Sequence, residues 1–287
     1  MSELARRVAF AVVAAPLAVA IVWMGGLPLA LLLAAVSAGA AWELYRIARA
    51  TGVDALDAVG IPLAAAIPLA VHARQIGLPA VPVSVGAVIF IGIVGAVIWA
   101  RGTVGRPLAV AAVTVFGVLY AGGLLSFGYL LRYHRFAVGA AAGTAVVGLP
   151  LVLTWASDIG AYFVGRAIGG RKLIPSVSPG KTVAGAVGGL LATMLVSLLY
   201  VNFVLRPYAN LTLAPWSALL FGAAISVAAQ IGDLAESLLK REAGVKDSSH
   251  LIPGHGGVLD RLDSLFFVLP VAYLLLDQFR LLVPVPR

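Results

Sequence analysis

SLLKREAGVKDSSHLIPGHGGVLDRLD, running from Ser237 to Asp263, is the longest polar interruption in an otherwise apolar chain. The stretch gathers cations and carboxylates around a middle part that holds four glycines and one proline. Apolar runs long enough to cross a bilayer flank it on both sides. Ionisable groups are expensive near a membrane interior and mark functional sites there. The stretch therefore predicts two membrane helices joined by a polar loop that serves a site.

The composition of the whole chain predicts the same class of protein. Of the 287 residues, 61% are hydrophobic and 11% are charged, whereas soluble domains carry roughly 25% charged residues. We expect an all-α, polytopic integral membrane protein. The chain has no cysteine, which excludes disulfides, thiolate chemistry and cysteine-ligated metal sites.

The apolar runs predict about nine transmembrane helices, since a span needs about 20 apolar residues. The third run is short and contains Pro62 and Pro68, so it is expected to be kinked or only partly inserted. The nine predicted spans are Val8–Met24, Leu27–Tyr45, Ala58–His72, Val81–Ala100, Leu108–Leu131, Ala137–Val164, Val183–Leu205, Pro215–Leu239 and Leu262–Val283.

The distribution of basic residues predicts the orientation. With a cytoplasmic N-terminus, 14 of the 20 Lys and Arg residues fall in inner segments and 6 in outer ones, as the positive-inside rule requires. We therefore expect a protein of the cell (inner) membrane whose polar loops, 165–182 and 240–261, face the cytoplasm. Arg6 and Arg7 before an apolar run also fit a signal peptide, but a first span explains them equally well.

The acidic residues predict how the chain is organised. Seven of the 12 lie between Asp158 and Asp263, and the first 150 residues hold four. We interpret residues 1–136 as a transmembrane scaffold of about five spans. Residues 137–287, with the two polar loops, form the predicted catalytic region.

Asp233 lies deep in the eighth predicted span. At helical spacing it shares a face with Glu236, Ser237 and Lys240. A carboxylate in a bilayer is expected to face a polar cavity or a partner. It is either a ligand of metal or substrate, or one half of a structural ion pair with Lys240 or Arg241.

Asp260 and Asp263 follow in the sequence LDRLD, three residues apart and on one face of a helix start. Capping of that helix is the alternative for both residues. Because Mg²⁺ binds one or two carboxylates together with substrate phosphates, Asp233 and Asp260 are candidate ligands. The histidines show no paired spacing that would favour zinc.

The PGHGG loop places His255, Gly256 and Gly257 between these acids and the cations of the eighth span. Glycines let backbone amides approach an anion closely. In a loop so rich in cations, contact with phosphate is favoured over a merely flexible turn.

The other polar loop carries the second set of candidates. Asp158, Tyr162 and Arg166 are spaced by one helical turn. Ser178, Lys181 and Thr182 then precede the seventh span, and hydroxyls, a lysine and a helix N-terminus suit a triphosphate. The spacing is not that of a Walker A loop. Contact with anionic lipid headgroups is the alternative.

Two or three carboxylates, several cations and two glycine-rich turns are typical of phosphoryl or nucleotidyl transfer. The motifs quoted above resemble those of the phosphatidate cytidylyltransferase (CDP-diacylglycerol synthase) family. The signature S-x-x-K-R-x4-K-D followed by P-G-H-G-G-x-x-D-R-x-D is matched from Ser237 to Asp263. G-D-L at Gly232 and S-P-G-K-T at Ser178 are also similar, although the family usually has lysine in place of Gly180 and often an acid in place of Ala184.

The resemblance implies transfer of CMP from CTP to phosphatidate, giving CDP-diacylglycerol and pyrophosphate in phospholipid synthesis. It implies Mg²⁺, a second, monovalent cation such as K⁺, and a homodimer in contact with membrane lipids, with no nucleic acid as partner. We assign catalytic roles to Asp233, Lys240, Arg241, Lys246, Asp260, Arg261 and Asp263. Metal ligation is assigned to Asp233, Asp260 and Asp263. Substrate binding is assigned to Asp158, Tyr162, Ser178, Lys181, Thr182, Asp247, His255, Gly256 and Gly257.

Three rival functions predict other features. A CTP-dependent lipid kinase would need a base to activate an alcohol, and it would release CDP. A CDP-alcohol phosphatidyltransferase is disfavoured because its D-x-x-D-G-x-x-A-R spacing is absent. A transporter with Asp233 and Glu236 as a proton relay predicts inverted repeats, which the uneven distribution of acids disfavours.

Overall fold

The chain is helical along most of its length. The structure, a computed structural model, describes residues 3–252, 254 and 256–285, with side chains from residue 12 onward. The α-helices are α1 (Glu3–Met24), α2 (Gly26–Ala50), α3 (Asp57–Gln75), α4 (Val83–Arg101), α5 (Pro107–Gly117), α6 (Phe127–Arg132), α7 (Gly139–Ile168), α8 (Val183–Tyr200), α9 (Pro215–Glu242), α10 (Leu259–Leu262) and α11 (Leu265–Tyr273). Three of them continue or are joined through π-helical turns at Val118–Gly123, Val201–Ala209 and Leu274–Gln278.

Four short strands accompany the helices. Strands β1 (Lys172–Ile174) and β2 (Ser178–Thr182) form an antiparallel hairpin. Strands β3 (Leu211–Thr212) and β4 (Val283–Pro284) pair in the same sense. The first polar loop therefore contains a hairpin, which the all-helical prediction did not include.

The prediction of an all-α, polytopic membrane protein is confirmed at that level. Each of the nine predicted apolar segments overlaps a helix. Among the described residues, six helical stretches are long and apolar enough to cross a membrane: Gly26–Ala50, Val83–Arg101, Pro107–Arg132, Gly139–Ile168, Val183–Ala209 and Pro215–Glu242. Shorter apolar helices lie at Val12–Met24 and Leu265–Gln278. Helix α3, which contains Pro62 and Pro68, is not one of the six, so the number nine stays a prediction.

The chain divides into two compact units. The first comprises the residues up to Ile21, then Gly25–Tyr129 and Leu239–Arg261. The second comprises Val22–Met24, Leu130–Leu238 and the chain from Leu262 on. The polar stretch after α9 thus folds with the N-terminal helices. The functional division into scaffold and catalytic region stays a prediction.

In the first unit, α2 packs along α3. The hydroxyl of Tyr45, on the fully buried side of α2, donates a 2.7 Å hydrogen bond to the carbonyl of Thr114. A buried polar group needs such a partner. Beside it lies an apolar cluster of Val53, Leu56, Ile93, Val97 and Val110.

In the second unit, α7 and α8 lie in close contact. A Cβ added to Gly185 or Gly189 would come within 2.7 Å of the carbonyl oxygens of Ala161 and Ser157 on α7. Only glycine permits this approach, which is a usual way for membrane helices to pack. The contact places the N-terminus of α8 beside the polar end of α7.

Large apolar side chains cover much of the outer surface. Trp99 is 87% exposed, Trp216 77% and Phe203 70%. Water-soluble monomers rarely expose extended apolar surface, so this surface suits a lipid environment.

Candidate active site

In the first unit, the side chain of Asp260 is the centre of the polar stretch. Its Oδ1 accepts a 2.7 Å hydrogen bond from Nζ of Lys240 in the last turns of α9. Its Oδ2 accepts from the backbone N–H of Gly257 at 2.8 Å and from both the N–H and the hydroxyl of Ser248 at 2.9 Å. One carboxylate thus joins three separate parts of the signature stretch.

These contacts keep Asp260 charged. Burial by itself raises the pKa of this carboxyl, but the Lys240 ammonium, the Gly257 amide and Ser248 outweigh burial and lower the pKa to about 2. Hydrogen bonds to the charged form favour it in this way. The pKa of Asp260 thus lies below the physiological range, and its carboxylate stays charged beside Lys240.

Behind the loop lies Glu43 of α2, which the sequence analysis did not select. Its side chain is fully buried. Its Oε1 accepts from the Ser249 hydroxyl at 2.5 Å and from the N–H of Val258 at 2.9 Å. Its Oε2 accepts from the Ser248 hydroxyl at 2.9 Å and from the N–H of Leu259 at 2.7 Å. An acid inside an apolar span was a signal that could have identified it.

The second unit contains a cavity of about 780 Å³. Side chains of α7, of the β1–β2 hairpin, of α8 and of α9 line it. Five predicted site residues contribute to this lining: Asp158, Tyr162, Lys181, Thr182 and Asp233. Ser178 does not belong to the lining formed by the described residues; it lies at the start of β2, paired with Ile174.

Two of these lining residues, Lys181 and Asp233, form an ion pair. Nζ of Lys181 lies 2.5 Å from Oδ2 of Asp233, and both side chains are about one-third exposed or less, at 28% and 32%. The hydroxyl of Ser237, one turn further along α9, donates to Oδ1 of Asp233 at 3.3 Å. The partner of Asp233 is thus a lysine of the other polar loop. Lys240, one of the partners considered from the sequence, pairs with Asp260.

The N-terminus of α8 opens onto the same cavity through Gly185 and Ala186. The side chain of Thr182 caps this helix, accepting a 3.0 Å hydrogen bond from the N–H of Gly185. On α7, the guanidinium of Arg166 donates to the Tyr162 hydroxyl at 2.7 Å. The predicted helix N-terminus and one-turn spacing are both present. The N-terminal end of α8 and the guanidinium of Arg166 thus both lie at the cavity.

The second unit also contains three carboxylates among the predicted site residues: Asp158, Asp233 and Asp263. Asp158 interacts electrostatically with Asp263, with Asp233 and, favourably, with Lys181. Oδ1 of Asp263 also accepts a 2.6 Å hydrogen bond from the N–H of Ser264, just before α11. Among the described residues, no three acidic or histidine side chains are grouped closely enough to hold a metal ion by themselves.

The remaining predicted residues all belong to the polar stretch and differ in their exposure. Arg241, Lys246, Asp247 and Arg261 are exposed. Gly256 has a positive φ of 81° and lies against the Asp260 carboxylate. Gly257 is buried against Ser248 and Glu43. The prediction for His255 falls outside the described residues, as does its neighbour Pro253.

Comparison with known proteins decides the family. The model of the cytidylyltransferase family matches residues 5–279, almost the whole chain. The chain belongs to the cytidylyltransferase family.

Several curated relatives in this family bear the name phosphatidate cytidylyltransferase. The one from Staphylococcus saprophyticus is 39% identical over 168 residues, which are 58% of this chain and 60% of that protein. The one from Haemophilus influenzae is 48% identical over 122 residues, 42% of this chain and 41% of the relative. The one from Bacillus subtilis is 43% identical over 137 residues, 48% and 49% of the two chains. The matched region thus spans about two-fifths to three-fifths of these relatives.

Membership of the cytidylyltransferase family confirms the resemblance inferred from the signature. The roles assigned to individual residues are a separate matter and stay predictions. The structure groups those residues in two sets. Lys240 and Asp260 are paired in the first unit, whereas Asp158, Lys181, Asp233 and Asp263 interact in the second.

Proposed function

We propose that this protein is a phosphatidate cytidylyltransferase that transfers CMP from CTP to phosphatidate. The observation that carries the proposal is the Lys181–Asp233 ion pair. It lies on the wall of a cavity onto which a helix N-terminus opens, in a chain of the cytidylyltransferase family. Phosphates bind at helix N-termini and beside lysines.

The cavity suits the nucleotide. Its volume of about 780 Å³ lies within the range of small-molecule sites. Arg166, Lys172 and Lys181 line it and would neutralise a triphosphate. The N-terminal end of α8, at Gly185 and Ala186 of the lining, adds a positive helix dipole without adding side-chain bulk.

The lipid substrate needs little activation. A phosphate monoester has a second pKa of about 6, so at neutral pH its oxygen is already an anionic nucleophile. That oxygen forms a bond to the α-phosphorus of CTP, and the bond from this phosphorus to the β-phosphate oxygen breaks, releasing pyrophosphate. No proton has to be removed in this step. The main obstacle is repulsion between two anions, which the cationic side chains offset.

The carboxylates fit a role for Mg²⁺. Asp158, Asp233 and Asp263 interact in one unit, and such hard oxygen donors suit a divalent cation that also binds substrate phosphates. When bound, Mg²⁺ would neutralise charge on the phosphates and stabilise the leaving pyrophosphate. Since the three acids do not form a ligand cluster by themselves, nucleotide oxygens would complete the coordination. A second, monovalent cation such as K⁺ rests on the family resemblance alone.

Asp260 has a different environment from Asp233. Three of its four hydrogen bonds go to Oδ2, and Oδ1 is held by Lys240. As a metal ligand it would have to share Oδ1 with Lys240. We propose that it mainly fixes the Lys240 ammonium, which with Arg241, Lys246 and Arg261 balances substrate charge.

We further propose nine spans, a cytoplasmic N-terminus and a site facing the cytoplasm in the inner membrane. The bias of basic residues supports this orientation. So does the contact of Glu43, near the C-terminal end of α2, with the polar loop, since both are expected on the inner side. A homodimer is carried over from the family resemblance, and cross-linking in native membranes would test it.

The test supplies purified protein with CTP labelled at the α-phosphorus, phosphatidate and Mg²⁺. We expect label in the organic phase, an equal amount of pyrophosphate, and no transfer when a chelator is present. Label recovered in CDP together with a phosphorylated alcohol would instead identify a CTP-dependent lipid kinase. Absence of both products from folded protein would reject nucleotidyl transfer.

A further inference from the structure

Glu43 is a buried acid in the part of the chain that the sequence assigns to the scaffold, and every hydrogen bond described above for it comes from the signature stretch. The four donors are the hydroxyls of Ser248 and Ser249 and the amides of Val258 and Leu259. They lie at distances of 2.5 to 2.9 Å, two on each carboxylate oxygen. A carboxylate that accepts several backbone and hydroxyl hydrogen bonds in a dry environment orders its donors strongly.

The packing around Glu43 supports this contact. One turn earlier on α2, a Cβ added to Gly39 would lie 3.3 Å from Val258, so the helix and the loop are in van der Waals contact there. A Cβ added to Gly257 would collide with the Ser248 hydroxyl and with the carboxylate oxygens of Glu43. The loop can approach this carboxylate only because residue 257 has no side chain.

Ser248 links Glu43 to Asp260. Its hydroxyl oxygen lies 2.9 Å from Oε2 of Glu43 and 2.9 Å from Oδ2 of Asp260. A hydroxyl has one proton to donate, so the two carboxylates share it. The neighbouring amides complete the link, since Gly257 donates to Asp260 while Val258 and Leu259 donate to Glu43.

We propose that Glu43 is a positioning residue, which fixes Ser248, Ser249, Val258 and Leu259 so that Asp260 holds Lys240 in its reactive place. This inference rests on the proposed nucleotidyl transfer for its effect on catalysis. Its effect on the loop does not depend on that function. Glu43 acts through the loop and touches no reacting atom.

The test combines turnover with amide hydrogen exchange. Glu43→Gln keeps the size of the side chain but replaces one carboxylate oxygen by an NH₂ group. That group is itself a donor, so it cannot accept the two hydrogen bonds that the oxygen accepted. We expect the amides of Val258 and Leu259 to exchange about tenfold faster or more, as local opening becomes easier. We expect kcat to fall by about tenfold or more while KM for CTP stays within about twofold, because none of the contacts described for Glu43 involves a residue that lines the nucleotide cavity. Glu43→Asp, which retains a carboxyl group, should restore part of the slow exchange at Val258 and Leu259 and part of kcat.

Ser37→Ala is the matched control. Ser37 is a buried polar residue of the same helix, whose hydroxyl donates to the Ala121 carbonyl at 3.1 Å, away from the loop. It should leave exchange at Val258 and Leu259 unchanged. If it raises exchange there as much as Glu43→Gln does, the effect is general loosening of α2 and the proposal is wrong.

Other outcomes are equally decisive. Normal exchange in Glu43→Gln overturns the anchoring, and faster exchange with unchanged kcat overturns the positioning role. If exchange rises throughout the variant, a second variant decides. Ser249→Ala removes one donor and keeps the carboxylate, so it should still raise exchange selectively at Val258 and Leu259, and the absence of a selective rise there overturns the proposal. If the wild type transfers no CMP, the proposed function fails, and the exchange data still decide whether Glu43 anchors the loop.

Discussion

Nζ of Lys181 lies 2.5 Å from Oδ2 of Asp233, although the two residues are 52 positions apart in the sequence. The pair joins the end of the β1–β2 hairpin to the middle of α9. It also neutralises one carboxylate of a unit in which Asp158, Asp233 and Asp263 interact. Removing either partner should therefore change both the nucleotide site and the electrostatic environment of the other residue.

Lys181→Met should weaken nucleotide binding. The variant loses a cation from the cavity and leaves Asp233 without this partner, so CTP meets added negative charge. We expect KM for CTP to rise by about tenfold or more, measured by steady-state labelling of lipid. Lys181→Arg, which keeps the positive charge, should raise KM for CTP much less. Equal KM values in the wild type and Lys181→Met would contradict a role for this lysine in binding CTP.

Asp233→Asn should strongly reduce turnover without unfolding the protein. The substitution removes one carboxylate from the proposed magnesium environment, and we expect kcat to fall by about 10²- to 10³-fold and the Mg²⁺ concentration for half-maximal rate to rise. Asp277→Asn is the control, because Asp277 is an acid of the same unit that pairs with Arg135 at 3.3 Å outside the described cavity. Unchanged metal dependence in Asp233→Asn would remove this residue from the metal site.

Asp260 should make stability depend on acid pH. Its pKa is lowered from 3.8 to about 2 in the folded protein, so its contacts stabilise the fold fully above about pH 4 and lose this contribution as the pH falls towards 2. The shift corresponds to about 2 kcal/mol of unfolding free energy for this side chain, which is 8% exposed. Thermal unfolding in detergent should show wild type well above Asp260→Asn at pH 6, with the gap closing between pH 4 and pH 2.

The control for this pH dependence is Asp247→Asn. Asp247 is an exposed acid of the same loop, and its substitution should leave the unfolding temperature nearly unchanged at every pH. A gap for Asp260→Asn that persists undiminished at pH 2 would show that shape, and not charge, accounts for the stabilisation.

Two glycine substitutions should differ sharply. In Gly257→Ala the new methyl group would overlap Ser248 and Glu43, so we expect loss of loop protection in hydrogen exchange and a fall in kcat of about tenfold or more. In Gly86→Ala, on helix α4, no described atom lies within 4 Å of the new methyl group, and activity should stay within about twofold of wild type. Equal effects of the two variants would contradict the crowded environment of Gly257.

Much of the fold could be predicted because a bilayer imposes simple demands. Backbone polar groups in lipid must be satisfied within helices, so each long apolar run had to be helical, and each predicted segment does overlap a helix. Segment boundaries were less certain. Helix α9 extends to Glu242, three residues beyond the predicted end at Leu239, since its last turn is polar and hydropathy does not detect it.

The partners of the candidate residues were harder to predict. The helical spacing left an ion pair of Asp233 with Lys240 or Arg241 as the alternative to a ligand role. In the structure Asp233 pairs with Lys181, and Lys240 pairs with Asp260. Ion pairs depend on which segments approach one another, and helical spacing shows only which residues share a face. The contact of Glu43 with the loop could not be predicted for the same reason, because 205 residues separate Glu43 from Ser248.

The class of protein, the helical segments and the family could be inferred from the sequence alone, because hydropathy and a signature of closely spaced residues are local properties. The fold was needed to show that the loop after α9 packs against α2, that Glu43 accepts hydrogen bonds from it, and that Asp260 and Asp233 have different cationic partners. These are contacts between residues distant in the chain. They are set by which helices pack together and by the need of each buried charge for donors, and neither can be deduced from a single stretch of sequence.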